Sequence, residues 1–217
     1  MRYSIILRTV FLALLLALFS QSALAAQKSE ARATLEAALD DILVILSKPE
    51  FKSQPQDGPL YNELKDKIFG ICDFEEFSAR SMGARWRSFN DKQKSDFMDA
   101  YGDLIYQTYS GKLASYEGQK FNFIREVSST KGDKVEIYTT IPYDGQQAAV
   151  NYRMIKKPAG WKVYNLVIEN MDLINNYFNQ FQKLGKLSPE QLIADTWKKA
   201  NEMKASNKNA ADARAGK

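Results

Sequence analysis

Few residues in this chain can do chemistry. Histidine is absent from all 217 positions, so there is no Ser-His-Asp or Cys-His pair, no imidazole base and no His-liganded zinc. Carboxylates, tyrosines, lysines and one thiol remain. Cys72 precedes Asp73 at a helix start, a place where a thiolate is favoured. With no imidazole to activate it, the thiol reads as a structural residue. A single cysteine also rules out an internal disulfide. Asp99 and Asp103 stand four apart on one helix face, with Glu117 further along. Paired carboxylates can act as acid and base, and the same spacing also describes a solvated stripe. Arg80, Arg85 and Arg87 gather around Trp86. Guanidinium groups suit a lipid phosphate or an acidic docking face, and cations are equally ordinary near a helix C-terminus. The stretch "SGKLAS" lacks the upstream Gly and the following Ser or Thr of a phosphate-binding loop, so the chain shows no nucleotide motor of its own. No metal or cofactor motif is visible.

The ends bound where such residues work. Arg2 and Arg8 flank the start of the apolar run "TVFLALLLALF", and Ala23-Leu24-Ala25 follows as an A-x-A site. That is the pattern of a secretory signal peptide over residues 1–25, its apolar run too short to span a bilayer. No lipobox cysteine follows. Cleavage removes two of the 30 basic residues and none of the 26 acidic ones, lowering the net charge from +4 to +2. A near-balanced, exported chain is a poor nucleic-acid binder. The expected organisation is a leader at 1–25, one domain at 26–204, and a disordered polar tail at 205–217.

The elements that position these residues follow from periodicity. Leu35, Leu39, Ile42 and Leu46 make one stripe of a helix over residues 28–48, which Pro49 stops. Leu60, Leu64 and Ile68 mark a second. Three more helices carry start signals with Glu or Gln three residues on: Asp73 with Glu76, Asn90 with Gln93, and Ser188 with Gln191. The last is expected to run to about Met203. A further helix carries Ile174, Tyr177, Phe178 and Phe181 on one face, with Gly185 as its expected cap.

Between these helices the period changes to two. Residues 120–127, 133–142, 147–156 and 160–169 read as four strands. Asp144-Gly145 predicts a two-residue type I′ turn. That turn pairs Val135 with Met154, Ile137 with Tyr152, Thr139 with Val150 and Ile141 with Ala148, an almost wholly apolar face. Phe121, Phe123 and Val127 extend it. The fourth strand, "WKVYNLVIENM", is apolar on both parities; Tyr164, Leu166 and Ile168 are taken as the inward set because Asn165 and Glu169 share the other parity. The fold class is α+β, a four-stranded antiparallel meander covered by about six helices. The helix bearing Phe97, Tyr101, Leu104 and Ile105 is expected to be the chief cover.

Two long segments, "QKSDFMDAYGDLIYQTYSGKLASYEGQKFNF" and "WKVYNLVIENMDLINNYFNQF", resemble the MlaC family, also called the toluene-tolerance family. The stretch "DFEEFSARSMGARW" is similar to the family's segment ending in Gly and Trp. The resemblance spans about Asp73 to Phe181. In one departure, Asn170 stands where the family usually has Gly; Asn tolerates positive φ best among the other residues. The resemblance implies a periplasmic phospholipid shuttle with an apolar cavity between sheet and helices. It also implies an outer-membrane lipoprotein complex and the MCE-domain ring of an inner-membrane ABC transporter as partners. The residues expected to hold the tails are Phe97, Tyr101, Leu104, Ile105, Phe121, Phe123, Val135, Ile137, Val150, Tyr152, Met154, Tyr164, Leu166, Ile168 and Phe178. Arg80, Arg85 and Arg87 are the expected headgroup or docking rim. Read by pattern alone, the same apolar list describes a plain sheet core, and only the resemblance turns it into a cavity lining. A carboxylate-based isomerase on a similar scaffold and a chaperone-like interaction domain remain as alternatives.

Overall fold

The computed structural model describes residues 28–51, 58–113 and 116–215; the expected leader lies outside them. Six α-helices are described: α1 (Glu30–Leu46), α2 (Pro59–Ile71), α3 (Phe74–Met82), α4 (Asp91–Leu113), α5 (Leu173–Lys183) and α6 (Pro189–Ala215). The strands are β1 (Asn122–Ser128), β2 (Lys134–Tyr143), β3 (Gln146–Lys157), β4 (Gly160–Ile168) and β5 (Met171–Asp172). They form one antiparallel meander in chain order.

Local chemistry accounts for the helix starts. The Asp73 carboxylate accepts the Glu76 N–H at 2.9 Å. Asn90 and Gln93 cap each other reciprocally at 2.8 Å, as do Ser188 and Gln191 at 2.9 and 3.3 Å. The β2–β3 hairpin has the expected register, from Val135 opposite Met154 to Tyr143 opposite Gln146. Asp144 and Gly145 supply its two positive φ angles, 50° and 72°.

The sheet has a fifth strand where four were expected. The chain reverses at Glu169 and Asn170, both at positive φ (49° and 65°), and returns as β5. Two residues are too few to show a period-two pattern, so this strand leaves no trace in the sequence. Asn170 does adopt the left-handed conformation its place requires. Asn170→Gly is therefore expected to stabilise the fold by about 0.5–1 kcal/mol, read from urea unfolding midpoints at constant slope.

β4 resolves its own double-sided pattern with a bulge. Met154 faces Val163 and Arg153 faces Asn165, so Tyr164 is an extra residue. Before the bulge Trp161 and Val163 point inward, and after it Leu166 and Ile168 share the face of Tyr152 and Val150. The expected inward set is thus corrected: Tyr164 lies on the other face, with the Arg80 guanidinium 4.7 Å from its ring centre. A second bulge at Ile124 turns Val127 outward and puts Glu126 opposite Ile137.

Two cores result. One lies between the inner sheet face and α1 and α2, built from Leu35, Leu64, Ile137, Met154 and Val163 among others. The other gathers aromatic rings between α3, α4, α5 and α6: Tyr101 lies 4.9 to 5.6 Å from the rings of Phe77, Phe97, Tyr177 and Phe181. The expected cover helix is therefore misassigned. α4 packs chiefly on α6, and α1 and α2 cover the sheet. The last helix extends past its expected end near Met203. α6 continues through Ala215, because Asn207 donates to the Gln107 carbonyl at 2.7 Å and the Ser110 hydroxyl at 3.1 Å on α4.

α5 is latched to the sheet by buried polar groups. The Asn165 amide donates to Asp172 at 2.9 Å and its oxygen accepts the Ile174 N–H at 3.2 Å. Asp172 also caps α5 and pairs with Arg153. Burial pushes the Asp172 carboxyl up, but the Asn175 N–H, Asn165 and Arg153 outweigh it and hold it below the usual range. A depressed folded-state pKa stabilises above the unfolded value, about 3.9 for Asp, and that stability is lost as pH falls through the folded value. Asp172→Asn is expected to be less stable than the parent at pH 7, with the gap narrowing below about pH 4; thermal melts across that range measure it.

Candidate functional site

Position along α1 decides where apolar surface stays open. Its buried stripe of Leu35, Leu39, Ile42 and Leu46 faces the first core. Leu43 and Val44 are apolar too, yet lie off that stripe; Val44 is 63% exposed. Glu36, Asp40, Leu43 and Ser47 succeed one another at steps of four and three, along one flank of the helix. That flank forms one wall of a groove of about 340 Å³, with Tyr116, Lys120, Phe121 and Phe123 opposite. A second groove of about 430 Å³ adjoins it, lined by Leu46, Ser47, Lys48, Pro49, Tyr116, Glu117 and Gly118. The two share Ser47 and Tyr116, and each is of a size that holds small organic ligands.

Behind the first groove lies the first core, whose rim is incompletely covered. Leu43, Tyr116, Phe121, Phe123, Val150 and Leu166 pack against it while remaining partly exposed. The Phe121 ring meets that of Tyr152 edge-on at 6.2 Å. The expected cavity is thus a half-open groove at one end of the helix–sheet seam, since Leu35, Leu64, Met154 and Val163 fill the middle.

The expected site residues divide accordingly. Phe121 and Phe123 line the groove; Val135, Ile137, Val150, Tyr152, Met154 and Leu166 belong to the core behind it. Phe97, Tyr101, Leu104 and Ile105 sit in the second core, with Tyr164 and Ile168 packed on it. Phe178 lies over Gly83 at the surface. Residues absent from the expectation, notably Leu43, Val44, Tyr116 and Lys120, line the groove. Their signal was an apolar pair off the helical stripe.

None of the three arginines lines either groove. The Arg85 guanidinium donates to the carbonyls of Phe181, Leu184 and Leu187 at 2.8 to 3.3 Å, securing the end of α5 beside the expected cap, where the Gly185 N–H donates to the Gln182 carbonyl at 3.1 Å. Arg80 pairs with Glu76 at 2.9 Å, and Arg87 is exposed. The charged groups at the grooves are Glu36, Asp40, Lys48, Glu117 and Lys120.

Acid–base chemistry finds little support here. Burial raises the Glu36 carboxyl, but Lys28 and Arg32 outweigh it and hold it below its ordinary value. Asp99 is exposed, while Asp103 is buried and paired with Lys65 at 2.6 Å. Desolvation pushes the Cys72 thiol up to about 12, far from a reactive thiolate. No cluster of metal-ligating side chains occurs among the described residues, and no helix among them is long and apolar enough to cross a membrane.

The sequence model of the MlaC protein family matches residues 36–198. The chain belongs to the MlaC family. This MlaC member is also similar to a solved structure, a phospholipid-binding protein from Ralstonia solanacearum in complex with a phospholipid. The two are 26% identical, with a TM-score of 0.72, over 81% of this chain and 99% of the other. No curated protein matches the chain.

Proposed function

We propose that this MlaC protein is a non-enzymatic phospholipid carrier, exported to the periplasm, that moves lipid between the outer and inner membranes. Acyl tails lie along the groove between α1 and β1, against Leu43, Phe121 and Phe123, and reach toward Val150 and Leu166. An outer-membrane lipoprotein complex and the MCE-domain ring of an inner-membrane ABC transporter are its proposed docking partners. The observation that carries this reading is the partly exposed apolar rim opening from the first core into the groove.

Energetics favour such a device. Each buried CH₂ contributes roughly 0.8 kcal/mol, so a diacyl lipid resists transfer into water by on the order of tens of kcal/mol. A carrier must match that apolar surface with its own. The same hydrophobic grip makes release slow without a docked acceptor, and the chain holds no phosphate-binding loop to drive it. A carboxylate-based isomerase would want a groove acid with a raised pKa, and Glu36 is held low.

Native mass spectrometry of the purified protein tests the proposal. Co-purified phospholipid, or its uptake from vesicles by delipidated protein, is the expected result. Well-folded protein that stays empty through repeated exposure to vesicles would end the carrier reading.

A further inference from the structure

The groove between α1 and β1 is too small for a diacyl lipid. Its volume of about 340 Å³ is at the low end of what holds a small organic ligand. Leu35, Leu64, Met154 and Val163 fill the seam behind it, so tails reach Val150 and Leu166 only when the walls part. The two walls are held differently. α1 packs on α2, and its Glu30 carboxylate accepts from Lys156 of β3 at 3.0 Å and from the Trp161 indole of β4 at 3.2 Å. β1 is an edge strand, paired with β2 alone.

Side chains tie that edge strand to the start of α1, ahead of Glu36 where the groove begins. The Glu126 carboxylate accepts the Ser29 N–H at 3.3 Å and the Ser29 hydroxyl at 2.5 Å. Ser29 is also the N-cap of α1, its oxygen accepting the Arg32 N–H at 3.0 Å. Beside this tie, the Arg32 guanidinium lies 4.9 Å from the centre of the Phe123 ring, itself a groove wall. The bulge at Ile124 is what brings Glu126 to this face, opposite Ile137. A half-buried carboxylate on an apolar sheet face costs desolvation and adds nothing to the core. What it gains is an anion's place at the positive end of α1 and a grip across the seam. Hydrogen bonds of this kind exchange for water at small net cost, so the tie can open while the packed core stays intact.

Building on the carrier reading, we propose that Ser29 and Glu126 form a clasp that gates the α1–β1 seam. The clasp opens to let acyl tails in or out and closes again over the groove. It governs how fast lipid passes, and not how tightly it is held, because neither residue lines a groove.

The rate of loading tests the gate. Delipidated mature protein is mixed with vesicles of phosphatidylethanolamine and phosphatidylglycerol in equal parts, and bound lipid is followed in time by native mass spectrometry. Glu126→Lys removes both hydrogen bonds and sets a cation at the N-terminus of α1. It is expected to load about tenfold faster than the parent and to reach the same final lipid content. Ser29→Asp/Glu126→Lys rebuilds the clasp as an ion pair, since Asp caps a helix as well as Ser, and its rate should return most of the way to the parent's. Circular dichroism checks the fold; should Glu126→Lys lose it, Glu126→Gln shows the same acceleration at about threefold. Equal loading rates in the parent and a folded Glu126 variant overturn the gate and leave the carrier standing. Fast loading that the charge swap does not slow also overturns it. A parent protein that takes up no lipid sinks the carrier reading, and the gate with it.

Discussion

Val150→Glu is expected to yield a folded protein that retains almost no phospholipid. Val150 sits on the inner sheet face between Thr139 and Ile168 in the ladder, and its side chain is only partly covered by the first core. A carboxylate there can turn toward the open groove and stay hydrated while the site is empty. Its own backbone carbonyl still accepts the Thr139 hydroxyl at 2.6 Å, so the ladder survives. An acyl chain entering the seam would strip that carboxylate of water. The charge then has no partner, at a cost of about 3 kcal/mol, or the carboxyl takes up a proton. That corresponds to roughly a hundredfold weaker retention. Tyr152→Glu is the instructive contrast. Tyr152 is 8% exposed, and burial already pushes its phenol well above the ordinary value. A charge at that position attacks the core itself and lowers stability along with binding. Gln147→Glu, at an exposed end of β3, should change neither. Lipid content by extraction, set beside thermal melts of the three variants, separates tails that reach past the groove to Val150 from a merely tolerant sheet. Normal lipid content in folded Val150→Glu would show that the tails lie elsewhere.

What could be read from the sequence was whatever depends on neighbours along the chain. The β2–β3 hairpin is one such case. A turn demanding two positive φ angles and an alternating face agree on one register, and the structure shows that register. The three helix caps, two of them reciprocal, are likewise local. The β4 bulge is not local: Tyr164 is squeezed out where the Cys72–Asp73 segment joins the strand, the Asp73 N–H donating to the Val163 carbonyl at 2.8 Å. The apolar residues on both parities of "WKVYNLVIENM" were its visible trace, since the inward set changes parity at the extra residue. The groove was half legible. Strand alternation marks Phe121 and Phe123, whereas Leu43 and Val44 lie off the buried stripe of α1, where helical periodicity carries no signal. The role of Arg85 depends on carbonyls about a hundred residues away. No spacing rule reaches that far.

The second large effect belongs to Gly83, which lies against Phe178 of α5 beside the second core. It ends α3 at φ 58° and ψ −132°, a combination that side-chain-bearing residues enter only with strain. A Cβ built there would lie 2.8 Å from Cε2 of Phe178. Both faults act at once in Gly83→Ala, and together they are expected to cost about 3 kcal/mol, or roughly 10 °C in melting temperature for a domain of this size. The two parts can be separated. Phe178 is 37% exposed, so Phe178→Ala alone costs less, and in the double variant it removes the collision without relieving the backbone. Gly83→Ala/Phe178→Ala should therefore be more stable than the sum of the two single changes predicts, yet still melt below Phe178→Ala. The turn at Gly83 also opens the 3-10 helix Gly83–Ser88 that carries Arg85 to the end of α5, so its distortion loosens α5 as well. Because neither Gly83 nor Phe178 lines a groove, lipid content well below the melting temperature should stay at the parental level. A Gly83→Ala variant that melts with the parent would mean that neither the φ angle nor the Phe178 contact constrains this corner of the fold.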